Sequence, residues 1–384
     1  MTFRLRSALV RSLAVALTVG AACSSQSSDE VSVKVAFLQD LSVPDHVDLV
    51  SPSFLAFDMV VQRRLEGRGA TIDVVQFDTG GDASEAIEIA EQVASDPTFV
   101  LAVAAPFWNE PSEVAHILAG AGVPTMSLSP ISRSPWVAPT PPSGVASELW
   151  RRFVPDRSAE ASLLAELADL RSPAGTSRPI CLVDDGSRYG RGLAGQVEGE
   201  VRGASTSIDG SEPVAAADAI AAARCPVVVW SGFPPGARDL AKAMREAGSA
   251  LGRPVDLAGD ALKTAIPPTS PAGDGPVVGS VACSCVDVSI GLELRSRRFV
   301  NAYQSEHGLT PGVFAAEAWD AGRVIADAVA SGAADRASMR GAFSALSTYD
   351  GVARDYVFDG EGELVGGTAR LFVASGTRWL PLPT

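Results

Sequence analysis

Apolar residues in this chain fall into short unbroken runs that alternate with stretches of helical spacing, and the alternation starts at residue 31. Val31 to Leu38 predicts a strand, and Pro52 to Leu65, with Phe54, Leu55, Met59 and Val61 at helical spacing, predicts a helix. Next come a strand at Thr71 to Phe77, a helix at Ala83 to Ala94, a strand at Phe99 to Ala105, a helix at Pro111 to Ala121 and a strand at Pro124 to Leu128. The order strand, helix, strand is that of a parallel sheet covered on both faces. Pro139 to Pro142 then interrupts the pattern.

A second round repeats it. Helices are expected at Ala159 to Leu170, Gly190 to Val201, Ala215 to Ala223 and Ala237 to Ala247. Strands are expected at Ile180 to Asp184, Ser205 to Asp209, Val227 to Ser231, Val255 to Ala258 and Val277 to Cys283. Two such rounds predict an α/β fold of two doubly wound parallel-sheet lobes. The last hundred or so residues carry helical patterns at Ser296 to His307, Ala315 to Ser331 and Arg336 to Leu346. A closing hairpin of Asp355 to Phe358 with Ala369 to Val373 is expected, joined by the turn Asp359-Gly360-Glu361-Gly362.

Ahead of this body stand Arg4, Arg6 and Arg11, an apolar run from Ser12 to Val19, and Gly20-Ala21-Ala22-Cys23-Ser24-Ser25. That is the form of a bacterial lipoprotein signal, too short in its apolar part to span a membrane stably and removed after translocation. Residues 1–22 are then the signal, Cys23 carries a diacylglycerol, and residues 23–30 are a flexible tether. Gly20 stands where such signals usually carry an aliphatic residue, so a secretory signal cut near Ala22 is the alternative. The expected location is extracytoplasmic, anchored by lipid to the outer face of the cytoplasmic membrane.

Losing residues 1–22 removes three arginines and no acids, which takes the net charge of −14 to −17. So acidic a chain is repelled by nucleic acid and by anionic membrane surfaces. The remaining body of about 350 residues exceeds one hydrophobic core and suits two units. Besides Cys23 the cysteines are Cys181, Cys225, Cys283 and Cys285, an even number for an oxidising compartment. Cys181 with Cys225 is the preferred bridge, because both begin strand-like runs expected in one sheet. Cys283 with Cys285 is the second, across a separation that makes a small ring. With three histidines and no metal-ligand spacing, neither a metal nor a cofactor is expected.

Gly190-Arg191-Gly192-Leu193-Ala194-Gly195 fits the spacing of a dinucleotide fingerprint, with Asp209 at the end of the next strand. Asp185 to Tyr189 nevertheless intervenes between strand and glycines, where the fingerprint needs its first glycine directly after the strand. No nucleophile elbow, paired-histidine motif or phosphate loop is present. Their absence lowers the expectation of an enzyme, and no enzyme is the expectation carried forward.

Several stretches, in order, carry a resemblance. They are Val33 to Leu38, Phe77 to Asp82, Ala121 to Pro124 with Ser127-Leu128-Ser129, and Asp184-Asp185 with Tyr189 to Gly192. Phe299 to Tyr303, Glu317 to Ala321, Tyr349 to Val352 and Phe358-Asp359 with Gly362 follow. Over nearly all of residues 31–384 the chain resembles the branched-chain amino-acid-binding, type I periplasmic binding proteins that feed ABC transporters. The resemblance implies two lobes joined by three crossovers near residues 150, 287 and 354. The N-terminal lobe is then 31–150 plus 288–354, and the C-terminal lobe 151–287 plus 355–384. It implies a monomer that captures a small polar solute, an amino acid or an amide, by hinge closure and presents it to ABC permease subunits.

In that family the ligand lies between the lobes, at the carboxyl ends of the strands. The matching first-lobe positions are Trp108, Asn109 and Glu110, then Ser129, Ile131, Ser132 and Arg133; in the second lobe they are Tyr189, Trp230 or Phe233, and Asp260. Pro111 suits a first helical position that leaves backbone N–H groups for a carboxylate, and Asp260 matches an acid that pairs with a ligand ammonium. Trp108, Asn109 and Glu110 replace small hydroxyl residues, and Arg133 a small Thr or Ser, so the pocket is reshaped relative to amino-acid binders. Two rival readings are a sensor that signals through a membrane partner, and a lobe pair that has lost its ligand.

Overall fold

The structure is a computed structural model that describes residues 31–43, 46–107, 112–130, 148–247, 255–263, 277–286, 294–376 and 378–382. Its first sheet has five parallel strands in the order β2-β1-β3-β4-β5. These are β1 (Val31–Gln39), β2 (Ala70–Asp78), β3 (Phe99–Ala104), β4 (Thr125–Ser127) and β5 (Trp150–Arg152). Side chains alternate along β1 between two cores, as a strand covered on both faces requires. Val33, Val35 and Phe37 share a cluster with Leu49, Ala56 and Phe57 of α1 (Val47–Leu65), while Ala36 and Leu38 share another with Ala86, Ala90, Val114 and Leu118. The latter four belong to α2 (Ala83–Ser95) and α3 (Ser112–Gly120).

The second sheet has seven strands in the order β14-β13-β10-β9-β8-β6-β7. Its parallel part is β6 (Ile180–Asp184), β7 (Ser205–Asp209), β8 (Val228–Ser231), β9 (Val255–Ala258) and β10 (Val278–Cys283). The helices between are α4 (Ser158–Arg171), α5 (Arg188–Glu200), α6 (Pro213–Ala223) and α7 (Pro234–Glu246); α4 packs on α5 and α6 on α7. Cys181 at the start of β6 is bridged to Cys225, which leads into β8, and Cys283 is bridged to Cys285. By loop-closure entropy the first bridge, with a sequence separation of 44, stabilises by about 4 kcal/mol and the second, with a separation of 2, by about a third of that.

After β10 the chain returns to the first sheet. Helices α8 (Leu294–His307), α9 (Ala315–Ala330) and α10 (Arg336–Ala345) pack there, with α9 lying along α1. Gly322 makes this approach possible: a Cβ on it would stand 2.9 Å from the Phe57 carbonyl oxygen and 2.6 Å from Val60.

The expected closing hairpin does not form between its two predicted halves. Instead β12 (Asp355–Val357) pairs antiparallel with β11 (Thr348–Asp350), and β13 (Arg370–Ser375) pairs with β10 on one side and β14 (Arg378–Pro381) on the other. Leu371 and Phe372 are buried against the second sheet, whereas of β12 only Tyr356 is buried. An apolar strand is drawn to the open sheet edge that can bury it, and this outweighs proximity in sequence.

Candidate functional site

Three loops at the carboxyl ends of parallel strands in the second sheet supply one wall of the joint between the two units. After β6, Ser187 caps α5 by accepting from the Gly190 N–H at 2.9 Å, which sets Tyr189 in the first turn. After β8, Phe233 stands at the N-cap of α7 ahead of Pro234. Asp185 holds these two loops together, accepting from the Phe233 N–H at 2.7 Å and the Ser187 N–H at 3.0 Å. After β9 come Gly259 and Asp260.

The first unit answers with aromatic rings. Phe107 follows β3, His46 precedes α1 and Phe314 precedes α9. Ring centroids lie 5.5 Å apart for Phe107 and Tyr189, 6.2 Å for Phe107 and Phe233, 5.8 Å for Phe107 and Phe314, 5.3 Å for Tyr189 and Phe233, and 4.1 Å for His46 and Phe233. All five side chains are buried. Phe107 and Phe314 also hold left-handed backbone, at φ 61° and 57°. That conformation costs an aromatic residue free energy a glycine would not lose.

Behind the Tyr189 ring lies a buried polar knot. The Tyr189 hydroxyl donates to Asp260 Oδ1 at 2.8 Å, and the Asp260 N–H donates to Glu160 Oε1 of α4 at 2.7 Å. Arg157 sits 5.9 Å from the Tyr189 ring centroid and donates to its carbonyl oxygen at 3.4 Å. Gly259 leaves the space this needs: a Cβ there would fall 2.5 Å from Glu160 Oε1 and 2.6 Å from the Tyr189 hydroxyl. Burial pushes the Asp260 carboxyl up to about 7. It raises Glu160 well above the usual range, with the Asp260 charge adding to the effect, and the same burial lowers Arg157. Glu160 Oε2, Asp260 Oδ2 and Arg157 Nε have no hydrogen-bond partner among the described residues.

Of the residues expected at the site, Tyr189, Phe233 and Asp260 are brought together. Trp230 is not in the cluster: its ring packs against Gly210 and Gly236 in the interior of the second unit. Ser129 is buried near the first passage between units, its carbonyl oxygen accepting from Arg152 Nη1 at 2.6 Å. Trp108, Asn109, Glu110, Ile131, Ser132, Arg133 and Cys23 lie outside the described residues. The glycines of the fingerprint-like motif lie inside α5, where Gly192 makes room for the Arg157 guanidinium. Five members of the site carry no motif: His46, Phe107, Phe314, Arg157 and Glu160.

Two of the three passages between the units are fastened to α9. Glu317 accepts from the Val286 N–H at 3.1 Å and from Arg354 at 2.8 Å, and Arg354 also donates to the Ser284 carbonyl at 3.0 Å. One turn along, Asp320 accepts from the Val352 and Ala353 N–H groups, each at 2.7 Å, and from the Tyr356 hydroxyl at 3.2 Å. Burial pushes the Asp320 carboxyl up to about 6.

The sequence model of the family described as periplasmic binding protein matches residues 32–377. Among solved structures, an ABC transporter substrate-binding protein from Desulfitobacterium hafniense in complex with Leu is 19% identical at a TM-score of 0.66, covering 91% of this chain and 100% of that one. A leucine-binding protein from Thermotoga maritima is 16% identical at a TM-score of 0.70, covering 91% and 98%. A solute-binding protein from R. palustris in complex with benzoate is 16% identical at 0.69, covering 91% and 95%. No curated protein matches the chain.

Proposed function

The chain belongs to the periplasmic binding protein family, and from that premise we propose that it is the substrate-binding component of an ABC importer. It captures a small polar solute, an amino acid or an amide-like molecule, between its two units by hinge closure. The observation that carries this reading is the Tyr189–Asp260 hydrogen bond at the joint, with Glu160 and Asp260 each keeping an unpartnered buried oxygen. A ligand that brings N–H groups and positive charge would replace the protons this buried acid pair holds and satisfy its remaining oxygens.

In this reading Tyr189, Phe233 and Asp260 form the second-unit wall, while Ser129 and the loops of Trp108, Asn109 and Glu110 and of Ile131, Ser132 and Arg133 form the first. Residues 31–150 with 288–354 act as one lobe, and 151–287 with 355–384 as the other. Cys23 is lipidated, so the protein works as a monomer on the outer face of the cytoplasmic membrane beside its permease. No covalent chemistry is involved.

Isothermal titration against amino acids and small amides tests the proposal. Saturable binding that Asp260→Ala weakens strongly is expected; the absence of binding by any of these solutes counts against uptake as the function. The direct contact of Phe107 with Tyr189 and Phe233 favours one second reading, a lobe pair that has lost its ligand, for which no solute would bind at all.

A further inference from the structure

We propose that the Cys283–Cys285 bridge is a thiol–disulfide exchange site: a dithiol opens it in the folded protein and so frees the passage that runs from the second unit to the first. Its chemistry is independent of any solute.

The two bridges occupy different kinds of place. Cys181 lies near the amino end of β6, and its bond to Cys225 stays inside the second unit. Cys283 is the last residue of β10, at the carboxyl end of the parallel strands where the joint lies, and it is paired across the sheet with Arg370 of β13. Cys285 is already outside the sheet, in the stretch that leaves for α8. The bond thus ties the fixed end of a strand to the first residues of a passage and closes a ring around Ser284 alone. The two Cα atoms are 5.2 Å apart, whereas two extended residues reach about 7 Å. Opening the bond gives the passage roughly 1–2 Å of slack and returns the backbone rotations at Ser284.

Outside the ring, Arg354 grips the Ser284 carbonyl at 3.0 Å and Glu317 the Val286 N–H at 3.1 Å. Cys283 and Cys285 are 0% and 3% exposed, so a reductant reaches sulfur only when these grips let go. Local opening of the passage, and not unfolding of the unit, therefore sets the rate. The fold survives the loss of the bond. Loop-closure entropy falls with ring size, so a bridge with a separation of 2 contributes far less to stability than one with a separation of 44.

The Cys285 N–H donates to Cys283 Sγ at 3.2 Å, which favours negative charge on that sulfur. A thiolate of the dithiol attacks Cys285 Sγ, forms a mixed disulfide and expels Cys283 as a thiolate, which takes up a proton. The second thiolate of the dithiol then attacks its own sulfur in the mixed disulfide and releases Cys285, which is protonated in turn. Two electrons and two protons pass to the protein, and the dithiol is left as its disulfide.

Graded dithiothreitol under native conditions, followed by trapping with N-ethylmaleimide and peptide mass spectrometry, reads each bridge separately. Cys283–Cys285 is expected to open at least about tenfold faster than Cys181–Cys225, with a cooperative melting transition kept in the singly reduced protein. Hydrogen exchange at the Cys285 and Val286 amides is expected to rise by about tenfold or more on that reduction. Loss of both bridges at one rate, or exchange at these amides that does not change, overturns the proposal. So does protein purified without reductant in which Cys283 and Cys285 are free thiols. Glu317→Gln loosens one grip and is expected to speed the opening of Cys283–Cys285 while leaving Cys181–Cys225 alone; an equal rate counts against gating by the passage. Cys283→Ser combined with Cys285→Ser copies the open form, and its exchange at 285 and 286 should match reduced wild type, a match to oxidised wild type counting against. Where that variant does not fold, reduced wild type supplies the same measurement. Because no arm contains a solute, failure of the transport reading leaves these results untouched.

Discussion

The acid pair behind Tyr189 is expected to make the stability of this protein fall as pH rises across the range where most carboxylates are silent. Asp260 titrates at about 7 in the folded chain against an ordinary value of 3.8. Between those values the folded state holds a proton that the unfolded chain has given up, so stability is greatest below the window and declines as pH climbs through it. One such group removes about 1.4 kcal/mol per pH unit. For a unit of this size that is a fall of roughly 3–5 °C in melting temperature per pH unit. Glu160, raised in the same direction, adds to the slope, and Asp320 contributes only below about 6. Asp260→Asn keeps an oxygen for the Tyr189 hydroxyl and gives an amide that can donate to Glu160, so the site stays bonded while one titration disappears. Melting curves of wild type and Asp260→Asn between pH 5 and 7 are the assay, with the slope of the variant expected at about half that of wild type. A wild-type melting temperature that is flat or rises over this range would refute the reasoning.

Other consequences are equally direct. Arg336 donates to five backbone oxygens, those of Phe99, Ala94, Ala121, Val93 and Asp96, and so ties α10 to the ends of α2 and α3 and the start of β3. Arg336→Ala is expected to cost about 2–4 kcal/mol in urea unfolding, with Arg336→Lys recovering a minor part because an ammonium lacks the planar fork; a loss below about 0.5 kcal/mol would show that water replaces the bonds freely. Glu317→Gln removes charge from the grip on Val286 and Arg354 and should increase amide hydrogen exchange at 284–286 before it changes the melting temperature. Equal exchange in both proteins would mean that this contact does not hold the passage.

Much of the fold is legible in the sequence because buried parallel strands write themselves as apolar runs. Val31 to Leu38, Phe99 to Ala104 and Val228 to Trp230 are read directly. Trp150–Arg152 is not, since it carries two buried arginines. They are tolerated because folding supplies partners: Arg151 donates to the carbonyls of Leu346, Trp150 and Phe343, and Arg152 to the Ser129 carbonyl and the Glu363 carboxylate. Apart from the Trp150 carbonyl, those partners are distant in sequence and leave no local pattern. At the site, Tyr189, Phe233 and Asp260 follow from their places after strands. Glu160 could have been found as a charge on an apolar stripe, for Glu160, Leu164 and Ala168 share one buried face of α4. Phe107 and Phe314 could not, because a positive φ is invisible until the backbone is traced.

Glu317 and Asp320 stand one turn apart on a single rigid rod; Glu317 grips both ropes that run to the other half of the molecule, at Val286 and Arg354, and Asp320 holds the second again at Val352 and Ala353. Both ropes must therefore turn about nearly the same line. Displacement grows with distance from such a line, so a small twist close to α9 becomes a wide sweep at the opposite rim. A docking partner resting there would sense whether the jaws are shut without ever touching what they hold.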